Sequence, residues 1–113
     1  MADKQRTDRL FHALADATRR DIVMHVMQGE YSVSTLARLF PMSFAAVQKH
    51  VAVLEDAELV TKRRQGREQL VRGNVDTVRR AYRLLEQFET VWRDRIDRFG
   101  EILADDQHRG AHT

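Results

Sequence analysis

Apolar residues recur along this chain at two different periods, and each change of period marks a new element. Across residues 6–15, Leu10, Phe11 and Leu14 fall at three- and four-residue intervals, which gathers them on one face of a short amphipathic helix. Ile22, Val23, Val26 and Met27 repeat that spacing in a second helix, which Asp16 or Thr18 can cap and Gly29 ends. Ser32 is the candidate cap of a third helix carrying Val33, Leu36, Ala37 and Leu39. Pro41 stops it, since proline lacks an amide hydrogen and its ring restricts the preceding residue. Ser43 then caps a fourth helix with Val47, Val51 and Leu54 as its buried stripe and Ala46 beside it. Phe44, Ala45, Gln48 and Lys49 are left on the opposite or flanking surface at its N-terminal end.

After this helix the spacing becomes strand-like. Leu59 to Arg64 and Glu68 to Val71 form two short runs around Gly66, a residue that accepts the positive dihedral a hairpin turn often needs. Leu59, Val60, Leu70 and Val71 can face inward and the arginines outward. Helical spacing returns from Val75 to about Leu103, where Val78, Tyr82, Leu85, Phe88, Trp92, Ile96, Phe99 and Leu103 share one stripe. At about 1.5 Å per residue that helix exceeds about 40 Å, and no later element covers its aromatic face. A second subunit would cover it; folding back onto the chain's own first helix is the alternative. Leu10 and Phe11 also need cover, so they join Leu85, Phe88, Trp92, Ile96 and Phe99 as candidate dimerisation residues.

The fold class that follows is mainly α with a small β-hairpin: a winged helix-turn-helix with a long C-terminal dimerisation helix. Neither a repeat nor a linker divides it, so residues 1–104 read as one domain that includes the dimerisation helix, 75–103. Residues 105–113 are polar and read as a flexible tail.

Composition narrows the partners. A chain of 113 residues with 42% hydrophobic content can bury a modest core, and a partner subunit would enlarge it. No apolar run approaches the roughly 20 residues that span a bilayer, and the opening MADKQRTDR lacks a signal-peptide core, so the expected location is cytoplasmic. The net charge of +2 says little, but its distribution says more. Between Thr61 and Arg72 stand five basic residues, Lys62, Arg63, Arg64, Arg67 and Arg72, against the single acid Glu68. That concentration suits a phosphate backbone.

Duplex DNA fits the helix and hairpin for separate reasons. In a major groove Gln48 can pair with adenine, Lys49 can meet guanine or a phosphate, and Phe44 can touch a thymine methyl. Arg63, Arg64 and Arg67 can reach phosphates or the minor groove from the hairpin. His50, beside the inner stripe, is assigned a structural role. Ser43 and His50 are seven residues apart, roughly 10 Å along a helix, too far for a nucleophile and its base. An enzyme is therefore not expected. Without cysteine, a metal site would need histidines and acids, and the sole suggestive spacing is His108 with His112 in the polar tail. Neither a phosphate loop nor a dinucleotide motif is present, and no cofactor is assigned.

Three runs carry a family resemblance: ALADATRRDIV at 13–23, SVSTLARLF at 32–40, and SFAAVQKHVAVLEDAELVTKRRQGREQLV at 43–71. Together they resemble the ArsR-type family of small winged-helix bacterial repressors, over about Leu10 to Val71. The resemblance implies a homodimeric repressor that acts on an imperfect inverted repeat in double-stranded DNA, in its own operon. It gives Ser43, Phe44, Ala45, Gln48 and Lys49 the recognition role and Arg63, Arg64 and Arg67 the wing role. Metal-sensing relatives use cysteines in or near the third helix, or Asp and His on the final one. Here the third helix has no cysteine and residues 75–103 have no histidine, so the usual metal sites are missing and the effector is open. Glu58 stands where the family commonly has glycine, which leaves the local helix end open as well. A protein-interaction module with weak, non-specific DNA binding is the alternative function.

Overall fold

The computed structural model describes the backbone from Ala2 to Ala111 and side chains from Asp3 to Asp105. Its elements are α1 (Ala2–Leu14), α2 (Ala17–Gln28), β1 (Tyr31–Ser32), α3 (Val33–Leu39), α4 (Phe44–Asp56), β2 (Val60–Gln65), β3 (Glu68–Gly73) and α5 (Val75–Ala111). They group into two compact units, Met1–Ala81 and Tyr82–Thr113, with α5 contributing to both. The α5 side chains from Leu85 to Asp105 are exposed within this chain.

In the first unit α2, α3 and α4 each start on a side-chain cap. Asp16 accepts from the Arg19 amide at 3.0 Å, Ser32 from Thr35 at 3.0 Å and Ser43 from Ala46 at 3.1 Å. Each satisfies an amide that the first helical turn leaves unpaired. The sharp step from α1 to α2 is held from the other side. Arg19 donates to the Ala13 and His12 carbonyls at 2.7 and 3.2 Å, and Arg20 to the Leu14 carbonyl at 2.7 Å. Two adjacent arginines therefore cap the C-terminal carbonyls of the preceding helix.

The core of this unit is built from Leu10, Ile22, Val26, Leu36, Val47, Val51, Leu54, Leu59, Val60 and Val71, all nearly or fully inaccessible. Val47, Val51 and Leu54 are the α4 stripe that the spacing predicts, and Ala46 lies at its margin. His50 is half-buried, with Nδ1 3.5 Å from Arg19 Nη1, so it faces the protein interior side of α4.

The sheet has three strands in the order β1-β3-β2, all antiparallel. Strand β1 was not expected: Tyr31 and Ser32 pair with Val71 and Leu70, and two residues are too few to show an alternating pattern. The hairpin itself is longer than its apolar runs, since pairing continues to Gln65↔Glu68 at the tip and Val60↔Gly73 at the base. Gly66 has φ 62° and is the first of two turn residues, the position that needs glycine when only that dihedral is positive.

In the second unit α5 continues to Ala111, beyond the end expected near Leu103. Nothing in ADDQHR interrupts a helix, and polarity alone does not end one. The His108 and His112 pair lies outside the residues whose side chains are described.

Candidate nucleic-acid interface

The cap at Ser43 fixes where α4 begins, and so which side chains its first turns present. Ser43, Phe44, Ala45, Gln48 and Lys49 are all exposed, whereas Val47 between them is fully buried. Phe44 is 47% exposed, a large apolar surface to leave in water at the end of a helix. The hairpin brings a second set of groups to the same place. Phe44 and Gln48 line a small groove of ≈ 180 Å³ with Ser34 of α3 and with Arg64, Arg67, Glu68 and Gln69 of the wing.

Strand alternation explains why Arg64 and Gln69 reach it, while Arg67 and Glu68 lie at the hairpin tip. Arg64 pairs across the hairpin with Gln69, and Lys62 with Val71, so these four share one face of the sheet. That is the face turned to α4: Val71 is buried, and the Lys62 ammonium lies 3.4 Å from Glu55 of α4. Arg63 pairs with Leu70 and belongs to the other face. There its Nε donates to Glu30 Oε2 at 2.9 Å and its Nη2 to Glu30 Oε1 at 2.7 Å. This fork holds the Glu30 carboxyl below its ordinary range and raises Arg63, the hydrogen bond being the larger cause in each case. Among the described residues, neither Arg64 nor Arg67 is paired with a carboxylate.

The structure thus brings Phe44, Gln48, Arg64 and Arg67 together and places Arg63 apart. Gln69 and Ser34 join the groove without having been singled out in the sequence. The signal for Gln69 lies in the register of the hairpin, which puts it opposite Arg64.

The description "Bacterial regulatory protein, arsR family" matches residues 16–62, from the cap of α2 to the start of the wing. The HTH-type transcriptional regulator Rv2034 of Mycobacterium tuberculosis is 37% identical over 99 residues, which cover 88% of this chain and 82% of that protein. This chain belongs to the ArsR family. The solved structure of an ArsR-like transcriptional regulator from Rhodococcus sp. RHA1 is 28% identical and superposes with a TM-score of 0.76, covering 90% of this chain and 96% of that one. The homodimeric winged helix-turn-helix DNA-binding domain Mb0332 from Mycobacterium bovis, a possible ArsR-family regulator, is 27% identical with a TM-score of 0.66, covering 78% and 82%. As a member of this family, the chain is a sequence-specific DNA-binding transcriptional regulator and not an enzyme.

Other expected site residues fall in two settings. Leu10 is 1% exposed and Phe11 half-buried within the first unit, so their cover comes from that unit's core. Leu85, Phe88, Trp92, Ile96 and Phe99 are each at least half exposed on α5. No helix among the described residues is long and apolar enough to cross a membrane, and no three His, Asp or Glu residues among them converge as a metal site would require.

Proposed function

We propose that this ArsR-family regulator is a homodimeric repressor of its own operon that reads an imperfect inverted repeat. The observation that carries the reading is the shared groove of Phe44 and Gln48 with Arg64 and Arg67. It sets base-reading chemistry beside phosphate-binding chemistry, and a duplex offers the two together. Ser43, Ala45 and Lys49 extend the reading surface along the first turns of α4. Phosphate contacts from Arg64 and Arg67 contribute affinity, and the helix supplies discrimination.

Dimerisation would set the spacing of the operator. The aromatic face of α5, with Trp92 60% and Phe99 63% exposed, is too apolar to leave in water and suits a second copy. The homodimeric state of the Mycobacterium bovis relative favours the same assembly. Two symmetry-related reading helices would then meet half-sites about one helical turn, roughly 34–36 Å, apart. Control would not run through the usual metal sites of the family, since the chain has no cysteine and residues 75–103 have no histidine. A small apolar ligand, another protein or no effector remain as alternatives.

Mobility-shift titration with the DNA upstream of the chain's own gene tests the reading. Tight binding that unrelated duplex does not compete away is expected. Absence of selective binding there, and in an unbiased genomic selection, would leave the chain without a self-regulatory role.

A further inference from the structure

We propose that Glu30 withholds Arg63 from DNA, making Arg63 a positioning residue that ties the wing to the β1 side of the sheet, while Arg64 and Arg67 meet the phosphates. The inference rests on the DNA-binding reading above.

Arg63 and Arg64 are neighbours in sequence and opposites in space. Register puts Arg64 with Gln69 on the face that shares a groove with Phe44 and Gln48, and puts Arg63 with Leu70 and Ser32 on the other. Glu30 immediately precedes β1, and Arg63 lies on β2, so their fork passes over the central strand β3 and joins the two outer strands. Both carboxylate oxygens are engaged, at 2.9 and 2.7 Å. A guanidinium held in this way is already in its best geometry.

Transfer of Arg63 to a phosphate would break both bonds to gain a comparable pair, so little net attraction is available. It would also leave the Glu30 carboxylate unscreened beside a polyanion, which costs affinity. The Glu30 side chain is only 26% exposed and feels Arg72 as well, which anchors its negative charge in place. The wing therefore carries fewer DNA-binding cations than its sequence suggests.

Counterion release separates a cation on phosphate from one held internally, because each neutralised phosphate adds about 0.9 to the slope of log affinity against log salt. The full chain and its variants would be titrated against a random-sequence duplex at several salt concentrations. R67Q should flatten the slope by about 0.9, whereas R63Q should leave it as in wild type. E30Q should steepen it by about as much, and E30Q combined with R63Q should restore the wild-type slope. Flattening by R63Q equal to that of R67Q would overturn the inference. So would an E30Q slope no steeper than wild type, or a steepening that survives in the double variant, which would belong to the Glu30 charge alone. If the wild-type chain holds no duplex even at low salt, the DNA-binding reading itself fails, before any variant is compared.

Discussion

The Arg6 guanidinium of α1 lies 2.8 Å from the carboxylate of Glu58, the residue on which α4 turns into the wing. Glu58 has φ 62°, and among the described residues no other non-glycine residue has a positive φ. Its amide bonds to Glu55 O at 2.9 Å and the next amide, Leu59, to Leu54 O at 3.0 Å. These are the two bonds of a Schellman cap, with Leu54 and Leu59 in the buried contact that accompanies it.

Glutamate at that dihedral costs about 1 kcal/mol relative to glycine. The ion pair returns little, since both side chains are nearly half exposed and such pairs contribute about 0–1 kcal/mol. Glu58→Gly is therefore expected to stabilise the chain by up to about 1 kcal/mol in urea unfolding. Arg6→Ala removes the pair together with the longer contact of Arg6 to Asp3 at 3.9 Å, and so sets an upper limit on it. A loss in the glycine variant larger than the loss in Arg6→Ala would mean that the carboxylate, not the dihedral, governs this turn.

Gly73 closes the wing against α2. A Cβ there would collide with the Met27 side chain and stand 3.2 Å from the Met27 Cα. The thioether can swing aside, but the helix backbone cannot. Gly73→Ala should destabilise the first unit by about 1–3 kcal/mol, the usual range for overpacking. Pairing it with Met27→Ala relieves only the side-chain part of the clash. Full recovery in that double variant would show that backbone approach plays no part.

The fold was legible wherever one helix face alternated with the other, and so were the Ser32 and Ser43 caps, while the α2 cap was narrowed only to Asp16 or Thr18 and falls on Asp16. Strand β1 was hidden by its length, and the end of α5 by the polarity of residues that a helix tolerates. The candidate interface was half legible. Spacing along α4 separates Gln48 from Val47, because 100° of helical rotation lies between them. Charge density cannot separate Arg63 from Arg64. That distinction needs the strand register and the position of Glu30, 33 residues earlier.

Asp16 gives the α2 cap a pH dependence. Its carboxyl lies below the ordinary 3.8, chiefly through the hydrogen bond from the Arg19 amide, with the nearby Arg19 and His50 charges adding to it. A carboxyl depressed on folding contributes stability that is fully present above its ordinary value and is lost as pH falls through the folded value. Asp16→Asn keeps a cap acceptor without the charge. Wild type should thus exceed the variant by a constant margin at neutral pH, and the margin should shrink as pH falls below about 4. Denaturant midpoints across that range test it; a margin that grows on acidification would reverse the assignment.

Within the groove, Gln48 and Arg64 should fail in different ways. A glutamine paired through both its amide groups with adenine discriminates by about 1–3 kcal/mol, or roughly 5- to 150-fold. Gln48→Ala should lose that factor on the preferred duplex and change little on a random one. Arg64→Gln should weaken both duplexes alike and flatten the salt dependence by about 0.9, because a phosphate carries no sequence. The two side chains line one groove, so their effects on the preferred duplex should couple in a double variant. Uniform loss from Gln48→Ala, with selectivity intact, would move base reading away from the first turns of α4. The family's reading helix would then be serving here as a scaffold for the wing.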